Sequence, residues 1–208
     1  MKRIAITQRV DVINSRSERR DALDQRWITF LQQINLLPIL VPNNVNYVGE
    51  LIKDKFLDGI LLTGGNSLVK YGGNAPERDE IEELLIEFAI FKNLPLLGVC
   101  RGMQVIQDYF NNSLCRVDGH IATRHSLIVE ENLRMSDVVN KYKDVNSFNE
   151  YGAYNVYGDL LSVAHSLDGV VMAIEHKKHK IFGVMWHSER ELPFNKFDQD
   201  IFKKIFWG

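Results

Sequence analysis

Short apolar runs alternate with helical patterns through the first half of the chain. The runs are rich in Ile, Leu and Val, and the segments between them carry apolar residues at every third or fourth position. Because the runs are apolar almost throughout, they are typical of strands covered on both faces. The order strand, helix, strand predicts a parallel sheet with helices on both sides. The predicted strands are 3–7, 37–41, 58–62 and 94–99.

Helical spacing identifies the segments that connect these runs. Apolar residues at 23, 27, 30, 31 and 34 fall on one face of a helix, and a shorter helix is predicted at 48–56. Pro76 suits the first turn of a longer helix, because proline lacks the N–H that this turn leaves unpaired. A fourth helix is predicted at 103–110. The core stripe predicted for the long helix is Ile81, Leu84, Leu85, Phe88 and Phe91.

The second half of the chain has a different pattern. Apolar segments at 126–129, 161–163, 170–174 and 181–186 are separated by turn residues, and an amphipathic helix is predicted at 198–206. No internal repeat or low-complexity linker is evident. We therefore predict an α/β fold in a single domain over residues 1–208. It should have a central, mostly parallel sheet with helices on both faces and a smaller antiparallel strand region.

Composition restricts the kind of partner. Of the 208 residues, 45% are hydrophobic and 25% are charged, as in ordinary globular proteins. The formal net charge of −2 gives no case for nucleic acid or an anionic membrane as the main partner. No apolar run is long enough to span a bilayer. Cys100 and Cys115 are the only cysteines, so no disulfide framework is implied and a reducing cytoplasm fits best.

The segment 98–102, Gly-Val-Cys-Arg-Gly, is the strongest candidate for catalytic chemistry. It lies between an apolar run and a helical pattern, with glycines on both sides of the turn. This arrangement is typical of a nucleophile elbow, in which a strained turn holds the nucleophile over a helix N-terminus. That terminus favours thiolate over thiol. A lone cysteine is more often a small core residue, but the flanking glycines favour Cys100 as a nucleophile.

A base for this thiol is available after another predicted strand. His187 follows the apolar segment 181–186, and the strand ends of a parallel sheet converge at one edge. Glu189 can accept the second imidazole N–H and fix the tautomer. Taken singly, His187 would be a structural histidine and Glu189 a solvated carboxylate. Together with Cys100 they predict attack on a carbonyl and an acyl-enzyme intermediate.

Donors for the oxyanion of such a reaction can also be identified. The backbone N–H of Arg101 follows the nucleophile, and the turn Gly64, Gly65, Asn66 can bring further N–H groups close because glycine has no Cβ. A glycine-rich turn is weak evidence by itself. It lacks the Gly-Lys-Ser/Thr continuation of a phosphate-binding loop, so a nucleoside triphosphate site is not predicted.

The remaining histidines do not predict a metal site. His120 and His125 are five residues apart across a predicted loop, and the others are scattered without the His-x-x-x-His spacing of a helical site. Cys115 is predicted to lie in the core. We therefore expect no metal and no organic cofactor.

Together these motifs resemble the class I glutamine amidotransferase superfamily, and within it the γ-glutamyl hydrolase branch, peptidase family C26. The resemblance covers nearly the whole chain. It rests on 62–65 (Leu-Thr-Gly-Gly), 78–82 (Arg-Asp-Glu-Ile-Glu), 98–104 (Gly-Val-Cys-Arg-Gly-Met-Gln), 145–147 (Val-Asn-Ser) and 183–189 (Gly-Val-Met-Trp-His-Ser-Glu). It implies a flavodoxin-like class I glutamine amidotransferase fold and a hydrolase of a γ-glutamyl amide, with glutamate as the acyl half.

The resemblance also implies roles for individual residues. Cys100 is the nucleophile, His187 the general base and then acid, and Glu189 its orienting partner. The oxyanion hole is formed or flanked by Gly64, Gly65 and Arg101. The residues implied in binding the substrate are Asn66, Met103, Gln104, Asn146, Ser147 and Phe148.

Departures from the family pattern bear on the substrate. Relatives usually carry proline at the position of Ser188, and many continue Val-Asn-Ser with a His-His-Gln type segment where this chain has Phe-Asn-Glu-Tyr-Gly at 148–152. The second departure predicts a different leaving group. Segments 7–10 and 19–26 resemble small stand-alone members from surface-polysaccharide gene clusters. This resemblance implies hydrolysis of γ-glutamyl-CDP-amidate to cytidine diphosphoramidate and glutamate during capsule synthesis.

Two other interpretations stay open. The chain could be a glutaminase subunit that delivers ammonia to a separate synthase, because 208 residues leave no room for a synthase domain. It could also be a non-catalytic binding protein on the same fold, which the intact Cys100, His187 and Glu189 disfavour. The partner expected on the leading interpretation is a small-molecule γ-glutamyl amide, and whether the chain forms a homodimer is left open.

Overall fold

One eight-stranded sheet runs through the structure, and both halves of the chain contribute strands to it. The structure is a computed structural model that describes residues 1–54 and 56–208. In this part of the chain, three two-stranded ribbons lie outside the large sheet. The strands are β1 (Lys2–Ile6), β2 (Arg9–Ile13), β3 (Glu18–Ala22), β4 (Leu36–Leu40), β5 (Gly59–Leu62), β6 (Leu96–Val99), β7 (Cys115–Arg116), β8 (Ile121–His125), β9 (Leu127–Val129), β10 (Val145–Phe148), β11 (Tyr151–Gly152), β12 (Leu160–Ser166), β13 (Val171–His176) and β14 (Ile181–Val184).

The helices fall largely where their spacing predicts them. Pro76 is the first residue of the long helix, and the predicted helix at 48–56 corresponds to a helix from Val45 to Leu51 and a short 3-10 helix at Ile52–Asp54; residue 55 lies outside the described residues. No helix in 1–54 or 56–208 is long and apolar enough to cross a membrane. The helices are α1 (Arg26–Gln33), α2 (Val45–Leu51), α3 (Pro76–Lys92), α4 (Arg101–Tyr109), α5 (Ser136–Val139) and α6 (Lys196–Trp207).

The sheet places the ends of three strands side by side. Its order is β4-β1-β5-β6-β14-β13-β12-β9, with parallel pairing from β4 to β14 and antiparallel pairing from β14 to β9. Leu62 of β5 pairs with Gly98 of β6, and Val99 of β6 pairs with Val184 of β14. The segments that follow these strands therefore leave the sheet at one edge, where open α/β sheets bind their ligands. This mixed, mostly parallel sheet confirms the predicted fold class.

The centre of the sheet is covered on both faces. Every residue of β5, β6 and β14 is buried, and successive strand residues point to opposite faces. Helices α1 and α6 pack together through aromatic rings. The Phe202 ring centroid lies 4.8 Å from that of Phe30 and 6.0 Å from that of Trp27. Apolar burial of this extent supplies the main driving force for folding.

Two residues predicted for the core are exposed instead. Phe91 is 79% exposed, because the buried face of α3 passes through Ile81, Leu85 and Ala89. A position two residues beyond Ala89 lies about 200° further round the helix axis. Cys115 is exposed in β7, which pairs with β11 in a ribbon outside the large sheet.

The β2–β3 ribbon is absent from the sequence prediction. In β3 only Ala22 is apolar, and the ribbon as a whole buries only Val10, so the alternation of Val10 and Val12 in β2 has no counterpart in its partner strand. The Asn66 side chain fixes the ribbon to the glycine turn, accepting from the Val10 N–H at 2.8 Å and donating to the Val10 carbonyl at 2.9 Å. The ribbon therefore lies beside the edge where β5, β6 and β14 end.

Candidate active site

Cys100 lies at a strained turn between β6 and α4. Its backbone has φ 52° and ψ −107°, a combination that L-residues rarely adopt, and its N–H donates to the Val184 carbonyl at 2.8 Å. Close packing requires both glycines. A Cβ on Gly102 would lie 2.1 Å from the Leu62 carbonyl oxygen, and a Cβ on Gly98 would lie 2.5 Å from the Gly102 backbone. The turn therefore has the geometry of a nucleophile elbow.

His187 and Glu189 form a buried pair just after β14. The Nδ1 atom of His187 lies 2.6 Å from Oε1 of Glu189, which leaves Nε2 for another partner. The position of Gly64 shows that Cys100 lies near this imidazole. A Cβ added to Gly64 would lie 2.6 Å from Cε1 of His187 and 3.5 Å from Cβ of Cys100. The imidazole and the cysteine side chain therefore share one pocket, with Gly64 between them.

This pocket favours the protonated imidazole. Burial lowers the pKa of His187, but the adjacent Cys100 and the hydrogen bond to Glu189 outweigh burial and raise the pKa to about 9. A pKa above the usual range keeps the His187 imidazole mostly protonated at neutral pH.

The backbone of His187 is held by Asn146. The Asn146 side chain accepts from the His187 N–H at 2.8 Å and donates to the His187 carbonyl at 3.0 Å. It also donates to Glu191 at 2.9 Å, and Glu191 in turn pairs with Arg124 at 2.7 Å. The Asn146 amide, implied by the resemblance in substrate binding, is thus engaged in fixing the histidine.

Arg78 shapes the glycine turn after β5. Its buried guanidinium donates to the carbonyls of Thr63 at 2.7 Å, of Gly64 at 3.1 Å and of Gly65. Burial lowers the pKa of Arg78 to about 10, although Glu82, 3.0 Å away, opposes that shift. In a trans peptide the N–H of the next residue points opposite to the carbonyl. The N–H groups that follow these three carbonyls therefore point away from Arg78.

The side chain of Arg101 points away from the nucleophile. Its guanidinium is buried and pairs with Glu82 and Asp79 of α3. Glu82 thus lies between two guanidinium groups. Burial raises the pKa of Glu82, but Arg101 and Arg78 outweigh burial and lower it. Arg101 directly follows Cys100, so the group that it contributes to the turn is its backbone N–H.

A cavity of about 280 Å³, here called the first cavity, opens beside the Cys100 side chain. Three of the substrate-binding residues implied by the resemblance line it, namely Asn66, Gln104 and Phe148, as does the rest of the divergent segment 148–151. Its lining consists of Gly65, Asn66, Ser67, Cys100, Arg101, Gln104, Phe148, Asn149, Glu150, Tyr151, His187 and Arg190.

The other implied substrate-binding residues lie behind this lining. Met103 is fully buried in α4. Ser147 is equally buried and donates to Oδ1 of Asn149 at 2.8 Å. Asn146 is bonded to the His187 backbone. The side chains of Met103, Asn146 and Ser147 therefore contact other protein groups and are not part of the lining of the first cavity.

A second cavity, of about 360 Å³, shares Gly65, His187 and Arg190 with the first. The β2–β3 ribbon and the approach to α1 provide most of the rest. The additional lining residues are Arg9, Asp11, Ala22, Leu23, Asp24, Trp27, Thr63, Gly64 and Glu189. His187 therefore borders both cavities.

Asp198 anchors the segment that carries His187 and Glu189. Its Oδ1 atom accepts from Ser188 Oγ and Trp186 Nε1, both at 2.9 Å, and from the Tyr142 hydroxyl at 2.6 Å. Burial raises the pKa of Asp198 to about 6, although these three hydrogen bonds oppose the shift. The Ser188 hydroxyl, in the place where the family usually has proline, thus ties the segment with His187 and Glu189 to α6.

Asp198 is not among the site residues predicted from the sequence, although its position in the predicted helix indicates a buried carboxylate. It begins the buried stripe of α6 that continues through Ile201, Phe202 and Ile205. A carboxylate at a core position of an amphipathic helix requires buried donors. The identity of those donors, which lie in two other segments of the chain, is not visible in the sequence.

Two of the histidines for which no metal site is predicted lie together in the structure. His120 and His125 stack with ring centroids 4.0 Å apart, and His120 Nε2 lies 3.0 Å from Oδ2 of Asp168. Their candidate ligand atoms lie within 4.8 Å of one another. The rings are nearly parallel, at 13°, so their nitrogens point side by side rather than toward one point. The arrangement suits hydrogen bonding better than metal coordination.

Comparison with known proteins identifies the family. The family model of peptidase C26 matches residues 4–189. The chain belongs to the peptidase C26 family. This membership confirms the resemblance found in the motifs and shows that the chain is an enzyme of the amidohydrolase type.

Individual relatives of this C26 chain agree with that assignment. The γ-glutamyl-CDP-amidate hydrolase of Campylobacter jejuni subsp. jejuni serotype O:2 is 32% identical over 199 residues, which cover 92% of each protein. The γ-glutamyl-γ-aminobutyrate hydrolase of Escherichia coli O157:H7 is 29% identical, covering 80% of this chain and 78% of the relative. A solved structure, a glutamine amidotransferase from Thermotoga maritima, matches with a TM-score of 0.66 at 14% identity. The match covers 97% of this chain and 82% of the Thermotoga chain, and it supports the fold alone.

The Asp198 cluster of this C26 member leads to a prediction about stability. Because the folded state favours protonated Asp198 up to about pH 6, the contribution of Asp198 to the free energy of unfolding should fall as pH rises from about 4 to 6. Asp198→Asn keeps an acceptor but cannot ionise. Relative to wild type it should therefore gain roughly 3 kcal/mol across that pH range, measured by urea unfolding. Asp198→Ala should be destabilised throughout, because three buried donors lose their acceptor. A constant difference between Asp198→Asn and wild type from pH 4 to 7 would contradict this assignment.

Proposed function

We propose that this C26 member hydrolyses a γ-glutamyl amide with Cys100, His187 and Glu189 as its catalytic triad. The observation that carries the proposal is the pocket around Gly64, which a Cβ would fill by contacting both His187 and Cys100. The 2.6 Å contact between Glu189 and Nδ1 of His187 adds support, because it fixes the tautomer whose Nε2 can face the thiol.

In the acylation step, the Cys100 thiolate attacks the δ-carbonyl carbon of a γ-glutamyl group held in the first cavity. The carbonyl electrons move to oxygen, and the oxyanion is stabilised by backbone N–H groups of Gly64, Gly65 and Arg101. The carbon–nitrogen bond then breaks while the His187 imidazolium gives its proton to the departing nitrogen. The amine leaves, and a glutamyl thioester remains on the sulfur.

In the deacylation step, water attacks the thioester carbon and loses a proton to His187. The carbon–sulfur bond breaks, so glutamate leaves and the thiolate–imidazolium pair is restored. Each step is easier than direct hydrolysis of the amide, and the same imidazole serves as acid in one and base in the other. The pKa of His187 near 9 supports this cycle, because the proton is already on the imidazole when the amide binds.

For the leaving group we propose cytidine diphosphoramidate, released from γ-glutamyl-CDP-amidate. The support is the Campylobacter relative, which is 32% identical with 92% of each chain covered. On this proposal the enzyme serves capsular polysaccharide synthesis in the cytoplasm, where a thiolate nucleophile stays reduced. The second cavity, next to His187, provides room of about 360 Å³ for the leaving group.

The proposal predicts the substrate preference and the consequence of removing the sulfur. Wild type should release glutamate from γ-glutamyl-CDP-amidate with a kcat/KM well above that for glutamine. Cys100→Ala should lower turnover at least about 10³-fold while the protein stays folded. Cys115→Ala, which removes the exposed thiol, is the matched control and should keep full turnover. A preference for glutamine would favour the glutaminase interpretation, and an active Cys100→Ala enzyme would exclude the thioester route.

The oxyanion role predicts a selective effect of Arg78. Arg78→Lys keeps a cation beside Glu82, but one ammonium group cannot hold three successive carbonyls in place. We expect kcat to fall roughly 10²-fold, as when an oxyanion donor is lost, while the rate at which iodoacetamide alkylates Cys100 stays close to wild type. A parallel fall in kcat and in the rate of Cys100 alkylation would contradict the oxyanion role and mean that Arg78 supports the nucleophile instead.

A further inference from the structure

Arg190 is the one arginine or lysine that lines both cavities of the candidate site among the described residues. It follows Glu189 directly, and its side chain is 35% exposed. Its guanidinium lies 4.3 Å from the centre of the Phe148 ring, and that ring meets the His187 ring edge-on with centroids 5.8 Å apart. Stacking on an aromatic ring limits where a guanidinium can go. The positive charge is therefore held next to the imidazole.

The carboxylates of the second cavity are engaged with other cations. Asp11 pairs with Arg9 at 2.5 Å, and Asp24 pairs with Arg26 at 2.6 Å. Glu189 bonds to His187 at 2.6 Å, and its closest approach to the Arg190 guanidinium is a longer 3.7 Å. The ion pair of Arg190 with Glu189 is therefore the longest of these contacts, and its partly exposed guanidinium can still bind a ligand. A ligand that meets it should be negatively charged.

The position of this charge matters for the leaving group. During acylation the nitrogen that departs must lie within reach of the proton on His187. In an amidate, charged oxygens sit on the atom bonded to that nitrogen. Oxygens so close to the nitrogen fall in the space between His187 and Arg190, where guanidinium can bind two of them at once.

We propose that Arg190 is a specificity-determining residue that selects γ-glutamyl amides whose leaving group is anionic. The inference rests on the proposed γ-glutamyl amide hydrolysis and adds the residue that recognises the leaving group, through phosphate-like oxygens next to the scissile nitrogen. A neutral amine gains nothing from Arg190. An anionic one gains a charge-assisted contact in a partly enclosed space.

The test compares substrates that share the glutamyl half. γ-Glutamyl-CDP-amidate is compared with γ-glutamyl-p-nitroanilide, and γ-glutamyl-γ-aminobutyrate with γ-glutamyl-butylamide. The readout is the ratio of kcat/KM for the anionic member to that for the neutral member. Arg190→Gln should lower this ratio roughly 10- to 150-fold, the loss expected for one hydrogen bond to a charged group. Arg190→Lys should restore part of it.

Arg3→Gln is the matched control, because it removes the same charge at β1, beside Asp58 and away from both cavity linings. It should leave the ratio unchanged. An Arg190→Gln enzyme with the wild-type ratio for every pair that wild type cleaves would overturn the inference, and so would a wild type that cleaves neutral amides alone. If wild type cleaves γ-glutamyl-γ-aminobutyrate but not γ-glutamyl-CDP-amidate, the proposed nucleotide substrate fails, and Arg190 is judged on the second pair.

Discussion

The alignment of three parallel strands is the constraint on which the candidate site depends. Leu62, Gly98 and Gly183 stand in one row across β5, β6 and β14. The three segments that follow these strands therefore leave the sheet side by side. They are the glycine turn after β5, the turn at Cys100 after β6 and the segment with His187 after β14. A shift of one residue in any strand would turn its side chains to the opposite face. The geometry of the site thus depends on backbone hydrogen bonds between these strands, including the one that the Cys100 N–H donates to Val184.

Buried charges tie these strand ends to helix α3. Arg78 binds the carbonyls of the glycine turn, and Arg101 anchors the first turn after the nucleophile. Both guanidinium groups meet at Glu82, whose side chain is fully buried. Removing one member of such a cluster typically costs about 3–5 kcal/mol, although an apolar replacement of the whole cluster is often equally stable. We infer that its contribution here is position, since it fixes the two loops relative to each other.

Much of this arrangement can be predicted from the sequence, because local signals mark it. The glycines around Cys100 and the spacing of His187 and Glu189 are visible in a few residues, and nearly continuous apolar runs mark the parallel strands. Features that depend on distant partners cannot be predicted this way. The β2–β3 ribbon buries only Val10, and the donors to Asp198 come from two segments distant from it, at Tyr142 and at 186–188. The sequence resemblance assigns Asn146 to substrate binding, and only the structure shows that its side chain bonds to the His187 backbone.

The central claim is that the Cys100 sulfur and the His187 imidazole share one pocket as an ion pair. Alkylation by iodoacetamide at pH 6.5, followed by mass spectrometry of the two cysteine peptides, tests it directly, and the exposed Cys115 serves as an internal reference. We expect Cys100 to react at least about tenfold faster in wild type than in His187→Ala, because the imidazolium maintains the thiolate. Cys115 should react equally in both proteins. Equal rates for Cys100 in the two proteins would contradict the account.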